Sequence, residues 1–398
     1  MSDGQRSSPE RQGARMTPKA PRFSNCLVLS PQQLDELLQV LTKQDYEVLG
    51  PTVREGAVVY DHVSSTKDLP AGWTDEQSGG KYRLKRREDN ALFGFVVGAH
   101  SWKKFVFPPA MRLWQAHRSD GLIQIVPETR KATKFAFIGV RACELHALSI
   151  QDKVFLKGPY VDPVYKLHRE NIFIVAVDCV QAGGTCFCTS MNTGPKATAG
   201  FDLALTEVLH EGRHYFIVRI GTKAGADLMS QVAHEEATPA DVELAENLVA
   251  EAAKHMGRSL DVSGIKELLY RNIEHVRWDQ VADRCLSCSN CTMVCPTCFC
   301  STVEDLTDLS GQQAERWRKW DSCFTTDFSY IHGSSVRSTP RSKYRQWMMH
   351  KLAYWIDQFG TSGCVGCGRC ITWCPVGIDI TEEARVIREG ETLASAAG

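Results

Sequence analysis

Apolar positions change their period several times along the chain, and each change marks an element. Leu34, Leu37, Leu38 and Leu41 fall at helical spacing behind Ser30 and Pro31, which predicts a helix with the serine at its N-cap and proline in its first turn. Two short unbroken apolar runs, residues 135–140 and 171–177, read as buried strands. The first runs into a helix start over residues 141–148, and the second into a segment, 178–188, that contains Gly183 and Gly184. Helices and β-branched or aromatic runs alternate between turn signals from Phe23 to Thr222, which predicts an α/β fold for the N-terminal domain. Residues 241–273 return to helical spacing through Leu244, Leu248, Ala252, Leu268, Leu269 and Ile273. Farther on, residues 312–319 and 344–356 read as helices, the latter with Trp347, Met348, Leu352 and Trp355 near a 3.6 period. The expected organisation is a disordered tail at 1–22, an α/β domain at 23–240, a helical bridge at 241–275 and a helix-rich domain at 276–398, with a frayed end over 390–398.

Composition narrows the function classes. The 398 residues carry 46 Lys and Arg against 47 Asp and Glu, a formal net charge of -1, with no basic surplus for binding nucleic acid. No stretch approaches the roughly 18 consecutive apolar residues of a membrane span. Residues 1–22 contain no apolar core of the kind a secretory signal needs, so a cytoplasmic, reducing location is expected. There, clustered cysteines signify metal more often than disulfides. The chain has 16 cysteines, which calls for an inorganic explanation.

Eight of them form two copies of one pattern, C-x2-C-x2-C-x3-C-P. The first is Cys285, Cys288, Cys291 and Cys295 before Pro296; the second is Cys364, Cys367, Cys370 and Cys374 before Pro375. Three thiolates at steps of three wrap one 4Fe-4S cube, and the cysteine before proline ligates the other cluster in two-cluster ferredoxins. The spacing therefore predicts a ferredoxin-like domain with two 4Fe-4S clusters and crossed ligands. Cys285, Cys288, Cys291 and Cys374 take one cluster, and Cys364, Cys367, Cys370 and Cys295 the other. Structural zinc uses paired C-x2-C knuckles and leaves the third cysteine and the Cys-Pro unexplained. Ser287, Ser289, Gly366 and Gly368 are small enough for backbone N–H groups to approach the sulfurs. Arg337, Arg341, Lys343, Arg345, His350 and Lys351, in the insert between the motifs, would offset cluster charge, meet an acidic partner, or simply form a solvated helix face.

Of the remaining cysteines, Cys298, Cys300 and Cys323 either line the cluster or are buried small apolar residues, the second being the favoured reading, and Cys26 is read as a core residue. Cys143 and Cys179 follow the two predicted strands. If those strands are parallel neighbours, both thiols leave the carboxyl edge of the sheet, where open α/β sheets bind ligands. Cys186 and Cys188 sit on the loop that could fold back to the same edge, so the four are a candidate third iron-sulfur site. The alternative is four unligated thiols in a core loop. Cys143, near a helix N-terminus, is expected to have a lowered pKa. No G-x-G-x-x-G follows a strand, and no P-loop or H-E-x-x-H is present, so nothing at motif level points to NAD, ATP or catalytic zinc on this chain.

Residues 139–148, 186–191, 193–195 and 200–206, together with both cysteine motifs, resemble a family of 4Fe-4S dicluster subunits. It is shared by the beta subunit of cytoplasmic NAD(P)-linked nickel-iron hydrogenases (sulfhydrogenases) and the A subunit of anaerobic sulfite reductase. The resemblance spans residues 23–379. It implies a non-catalytic electron relay between a flavin subunit that exchanges hydride with NAD(P)H and the catalytic subunits of the hydrogenase or the sulfite reductase. Two other function classes stand beside it: a flavin- or thiol-dependent oxidoreductase using Cys143, and a binding module whose clusters only stabilise the fold.

Overall fold

The structure is a computed structural model that describes residues 26–119, 121–129 and 132–396. The tail expected at 1–22 lies outside the described residues.

Phe135–Val140 forms a strand buried along its whole length, and its alternate side chains serve two cores. Ala136 and Ile138 pack with Leu34, Leu37, Leu38 and Leu41 of the helix Pro31–Lys43. Phe135, Phe137 and Val140 pack on the other face with Leu145, Leu148 and Tyr165. A strand covered on both faces has to be apolar throughout, which is why it reads as an unbroken run. The Ser30 hydroxyl accepts from the Gln33 backbone and the Gln33 side chain accepts from the Ser30 N–H, a capping box that starts the Pro31–Lys43 helix.

The main sheet has eight strands. From one edge to the other they are Glu235–Glu236, Leu27–Leu29, Arg213–Ile220, Leu203–His210, Ile172–Val177, Phe135–Val140, Glu47–Arg54 and Ala57–His62. The middle four are parallel, with Phe137 opposite Ile174 and Leu49 opposite Phe137 in register, and the outer pairings are antiparallel. Phe135–Val140 and Ile172–Val177 are thus parallel neighbours, and Cys143 and Cys179 follow them at the same edge of the sheet. Their carboxyl ends open into the helix Ala142–Phe155 and the loop that starts at Asp178. Asp178 fixes that loop. Its carboxylate accepts from the Ala197 N–H at 2.7 Å and the Thr206 hydroxyl at 2.8 Å, and pairs with Arg219 at 2.9 Å.

Two helices, Pro239–Lys254 and Ile265–Arg271, fall within residues 239–271, with Leu268 and Leu269 buried. The C-terminal third differs from expectation in two places. Residues 312–319 are not helical: Gln313–Trp320 is a strand in a four-stranded sheet ordered Ser301–Thr307, Gln313–Trp320, Ala110–Ser119, Leu122–Pro127. Cross-strand charges favour it, with Arg316 to Asp305 at 2.6 Å, Lys319 to Glu304 at 2.6 Å and Glu315 to Arg112 at 2.6 Å. Helical propensity is a weak prior that such partners override. Residues 390–396 also depart from the expected frayed end, because the helix Ile380–Ala396 runs through them, and residues 397–398 lie outside the described residues. The Glu383 carboxylate, 1% exposed, pairs with Arg277 and with Arg284, and Arg271 holds Glu391 at 2.9 Å.

Candidate metal centre

The two cysteine motifs fold alike. Each passes through two left-handed residues, Ser287 (φ 50°) and Ser289 (φ 67°) in the first, Gly366 (φ 65°) and Gly368 (φ 76°) in the second, and then enters a short helix. This turn aims backbone donors at sulfur. The Ser287 N–H approaches Cys285 Sγ at 3.4 Å, Gly366 N–H approaches Cys364 Sγ at 3.5 Å, and Ile378 N–H approaches Cys374 Sγ at 3.3 Å. Serine suffices in the first motif, but the second is packed against residues 185–188. A Cβ on Gly366 would lie 2.6 Å from the Phe187 carbonyl oxygen, and one on Gly368 would lie 2.5 Å from that of Thr185. Only glycine admits that approach.

The thiols gather in two sets that exchange their last members. Cys285, Cys288, Cys291 and Cys374 line one pocket with Phe324, Tyr344 and Trp347, and Cys370 contributes to its wall. Burial raises the Cys291 thiol well above its ordinary value, with further contributions from Cys285, Cys374 and Cys288. Cys295 joins the other set: burial raises Cys370, and the neighbours acting on it are Cys364, Cys367 and Cys295. Burial likewise pushes Cys364 up to about 12. Thiolates in so dry a place need a compensating cation, as a bound metal provides. The sets differ in exposure. Cys288 is exposed beside exposed Leu286, whereas Cys295 and Cys367 are buried.

The basic residues of the insert divide between the roles expected for them. Arg341 and Arg345 pair with Glu274 at 2.7 and 3.0 Å on the surface. Lys351 is buried, and its Nζ lies 3.0 Å from Cys295 Sγ and 3.3 Å from Cys298 Sγ. Burial acts to lower its pKa, but the attraction of Cys295, Cys298 and Cys364 prevails and holds it well above the ordinary lysine value. Cys298, Cys300 and Cys323 are therefore not merely apolar filler. A thiol hydrogen bond from Cys298 lowers the pKa of Cys295, and one from Cys323 does the same for Cys300. A second buried lysine, Lys103, donates to the Cys298 carbonyl at 3.2 Å and stacks 3.7 Å over Trp320. Lys351 is one of the six basic residues from which the sequence expects an offset of cluster charge, whereas nothing in the sequence singles out Lys103.

At the sheet edge, Cys143, Cys186 and Cys188 share a core with Val365 and Cys367, so this group abuts the second motif. Burial pushes Cys188 up to about 12, with Cys179 and Cys367 the next contributors. Cys143 departs from the lowered pKa expected of it: burial raises it well above its ordinary value, and Cys367 and Cys188 add to the effect. The partial charge of a helix N-terminus does not outweigh full desolvation among other thiols. The bridge closes the group over. Arg258 N–H donates to the Cys186 carbonyl at 2.9 Å, and Met256 Sδ lies 3.8 Å from Cys188 Sγ.

The residues present suit iron-sulfur clusters in a further respect. Tyr344 and Trp347 line the first pocket, and Tyr344 Oη and Trp347 Nε1 are buried without a hydrogen-bond partner among the described residues. Buried donors seldom go unsatisfied, and cluster sulfur is an acceptor they could serve. Residues 284–378 match the family described as 4Fe-4S dicluster domain, so this segment is an iron-sulfur domain of that family. It is 33% identical over 291 residues to the sulfhydrogenase 2 subunit beta of Pyrococcus furiosus, a match that covers 72% of this chain and 83% of that protein. The chain belongs to the sulfhydrogenase beta-subunit family. No solved structure matches it. Among the described residues no helix is long and apolar enough to cross a membrane.

Proposed function

We propose that the chain is an iron-sulfur electron-transfer subunit relaying electrons between a flavin/NAD(P)H-binding subunit and the catalytic subunits of a cytoplasmic nickel-iron hydrogenase. The observation that carries this reading is the exchange of Cys374 and Cys295 between the two thiol sets. Cys285, Cys288, Cys291 and Cys374 hold one 4Fe-4S cluster, and Cys364, Cys367, Cys370 and Cys295 the other. When bound, each cluster supplies reversible one-electron storage, which joins a two-electron hydride donor to a distant metal site. The chain's own residues ligate, donate hydrogen bonds and exclude water. Cys288, with exposed Leu286 and Val376 beside it, offers the face where a partner's redox group can come near. Cys143, Cys179, Cys186 and Cys188 are the candidate ligands of a third cluster next to Cys367.

Iron and acid-labile sulfide on the purified full-length chain test this. About eight of each per chain supports two clusters, about twelve supports the third as well, and about four or fewer overturns the dicluster reading. Cys291→Ser should remove one electron paramagnetic resonance signal and leave the other; two unchanged signals contradict the ligand assignment. Copurification from the native source should bring down hydrogenase catalytic subunits. A sulfite-reducing subunit in their place would overturn the hydrogenase assignment and leave the relay standing.

A further inference from the structure

We propose that Lys351 is a positioning residue that raises the reduction potential of the buried second cluster, through a charge-assisted hydrogen bond to the ligating sulfur of Cys295. The proposal rests on the reading above that Cys295 joins Cys364, Cys367 and Cys370 around that cluster.

Lys351 is 5% exposed. Its Nζ lies 3.0 Å from Cys295 Sγ, 3.3 Å from Thr297 Oγ1 and 3.3 Å from Cys298 Sγ, with the Trp347 ring 5.7 Å away. The Thr297 hydroxyl donates to the Gly363 carbonyl at 2.7 Å, which leaves its oxygen free to accept from the ammonium. Sulfur, a hydroxyl and an aromatic face are these contacts, and none is a carboxylate. A buried ammonium without a carboxylate is costly unless some other negative charge answers it. Here that charge is on sulfur. Of the other buried cations near this set, Arg369 is already answered by Glu144 at 2.6 Å, and Lys103 donates to the Cys298 carbonyl at 3.2 Å and lies over the Trp320 ring.

The backbone fixes the lysine as firmly as its side chain does. The helix Pro340–Met349 passes through a π-turn, His350–Tyr354, before it continues as Trp355–Phe359. Such a turn inside a helix often marks a functional site. The Lys351 carbonyl accepts from Gly363 N–H at 2.8 Å and from the Ser362 hydroxyl at 3.0 Å, and the Ser362 oxygen accepts from Cys364 N–H at 3.0 Å. Both ends of Lys351 are thus tied to the second motif.

The same helix treats the first set differently. Tyr344, Trp347 and Lys351 follow one another at steps of three and four, so they share a face. Tyr344 and Trp347 bring neutral donors to the first pocket, whereas Lys351 brings a full positive charge to the second. One-electron reduction adds negative charge, and a cation in contact with a ligating sulfur favours the reduced state, the more strongly in a dry site. Burial alone would disfavour that added charge. Lys351 opposes the effect where burial is deepest.

The test is a potentiometric titration of the full-length chain with its clusters, followed by electron paramagnetic resonance, for the wild type and for Lys351→Met, Lys351→Gln and Lys351→Arg. The signal that Cys364→Ser removes should move to lower potential in Lys351→Met and Lys351→Gln, and stay near the wild-type value in Lys351→Arg. The signal that Cys291→Ser removes should not move. Equal potentials in Lys351→Met and wild type overturn the proposal, as does an equal shift of both signals. If Lys351→Met fails to retain iron, the comparison of Lys351→Gln with Lys351→Arg decides: a lower value for glutamine supports the proposal and equal values overturn it. Should Cys364→Ser and Cys291→Ser each leave both signals intact, the ligand reading itself has failed. Should each remove one signal while the lysine variants change nothing, only the present proposal has failed.

Discussion

The guanidinium of Arg369 meets the carboxylate of Glu144 at 2.6 Å, with both side chains 1% exposed, and the pair ties the second cysteine motif to the helix at the sheet edge. The carboxylate also accepts from Tyr60 Oη at 2.8 Å and Trp102 Nε1 at 3.0 Å, and Arg369 donates to the carbonyls of Gly98 and His100. Removing one member leaves a buried charge unanswered. Glu144→Ala is expected to cost about 3–5 kcal/mol of stability. Urea unfolding of the iron-loaded chain measures it, and a loss below about 1 kcal/mol would contradict the burial described for the pair.

The two motifs should respond unequally to equivalent substitutions. Gly366→Ala or Gly368→Ala adds a Cβ at a left-handed residue and drives it into the backbone of residues 185–188. Each should destabilise by more than the ~1–2 kcal/mol that left-handed strain alone costs, with loss of iron from the second set. Ser287→Gly and Ser289→Gly relieve the same strain in the first motif and should be neutral or mildly stabilising. Chemical denaturation and iron content, read on all four variants, check the asymmetry; equal losses in both motifs would refute it.

His350 makes stability depend on pH. Burial holds its pKa down to about 4, and Lys351 and Arg337 act in the same direction, against an ordinary value of 6.5. The unfolded chain therefore binds a proton that the folded chain refuses between those values, and stability falls as pH drops through that window. At about pH 5.5 the loss attributable to this group is about 1.2 kcal/mol relative to neutral pH. His350→Phe keeps an aromatic ring among Phe299 and Trp355 and should flatten the dependence. Urea midpoints for variant and wild type at the two pH values give the answer, and parallel curves would exclude the histidine as the source.

What could be read from the sequence was local or repeated. The cysteine motifs fix their own spacing, the Ser30 cap lies next to its helix, and the two unbroken apolar runs announce strands covered on both faces. Residues 312–319 were misread because the strand that fixes them, Ala110–Ser119, lies far away in the chain, while their own composition suits a helix. A hairpin signal was nonetheless present in Thr302 and Val303 followed by the turn at Ser310 and Gly311. The raised Cys143 thiol was illegible for a different reason: a helix N-terminus can be read from sequence, but the depth at which it is buried depends on how residues 186–188 and the second motif pack. Lys351 is one of six basic residues for which the sequence leaves open an offset of cluster charge, an acidic partner or a solvated face. Only the π-turn and the return of the chain at Ser362 and Gly363 turn it inward.

The pairing of Gln313–Trp320 with Ala110–Ser119 has a consequence for how such a protein can be divided. A strand taken from between the two cysteine motifs lies in the middle of a sheet completed by the N-terminal half. Cutting the chain ahead of Cys285 would leave a raw hydrogen-bonding edge on each fragment. The cysteine-bearing part is thus not an interchangeable cassette, and grafting it onto another redox protein would require the strands Ala110–Ser119 and Leu122–Pro127 to travel with it.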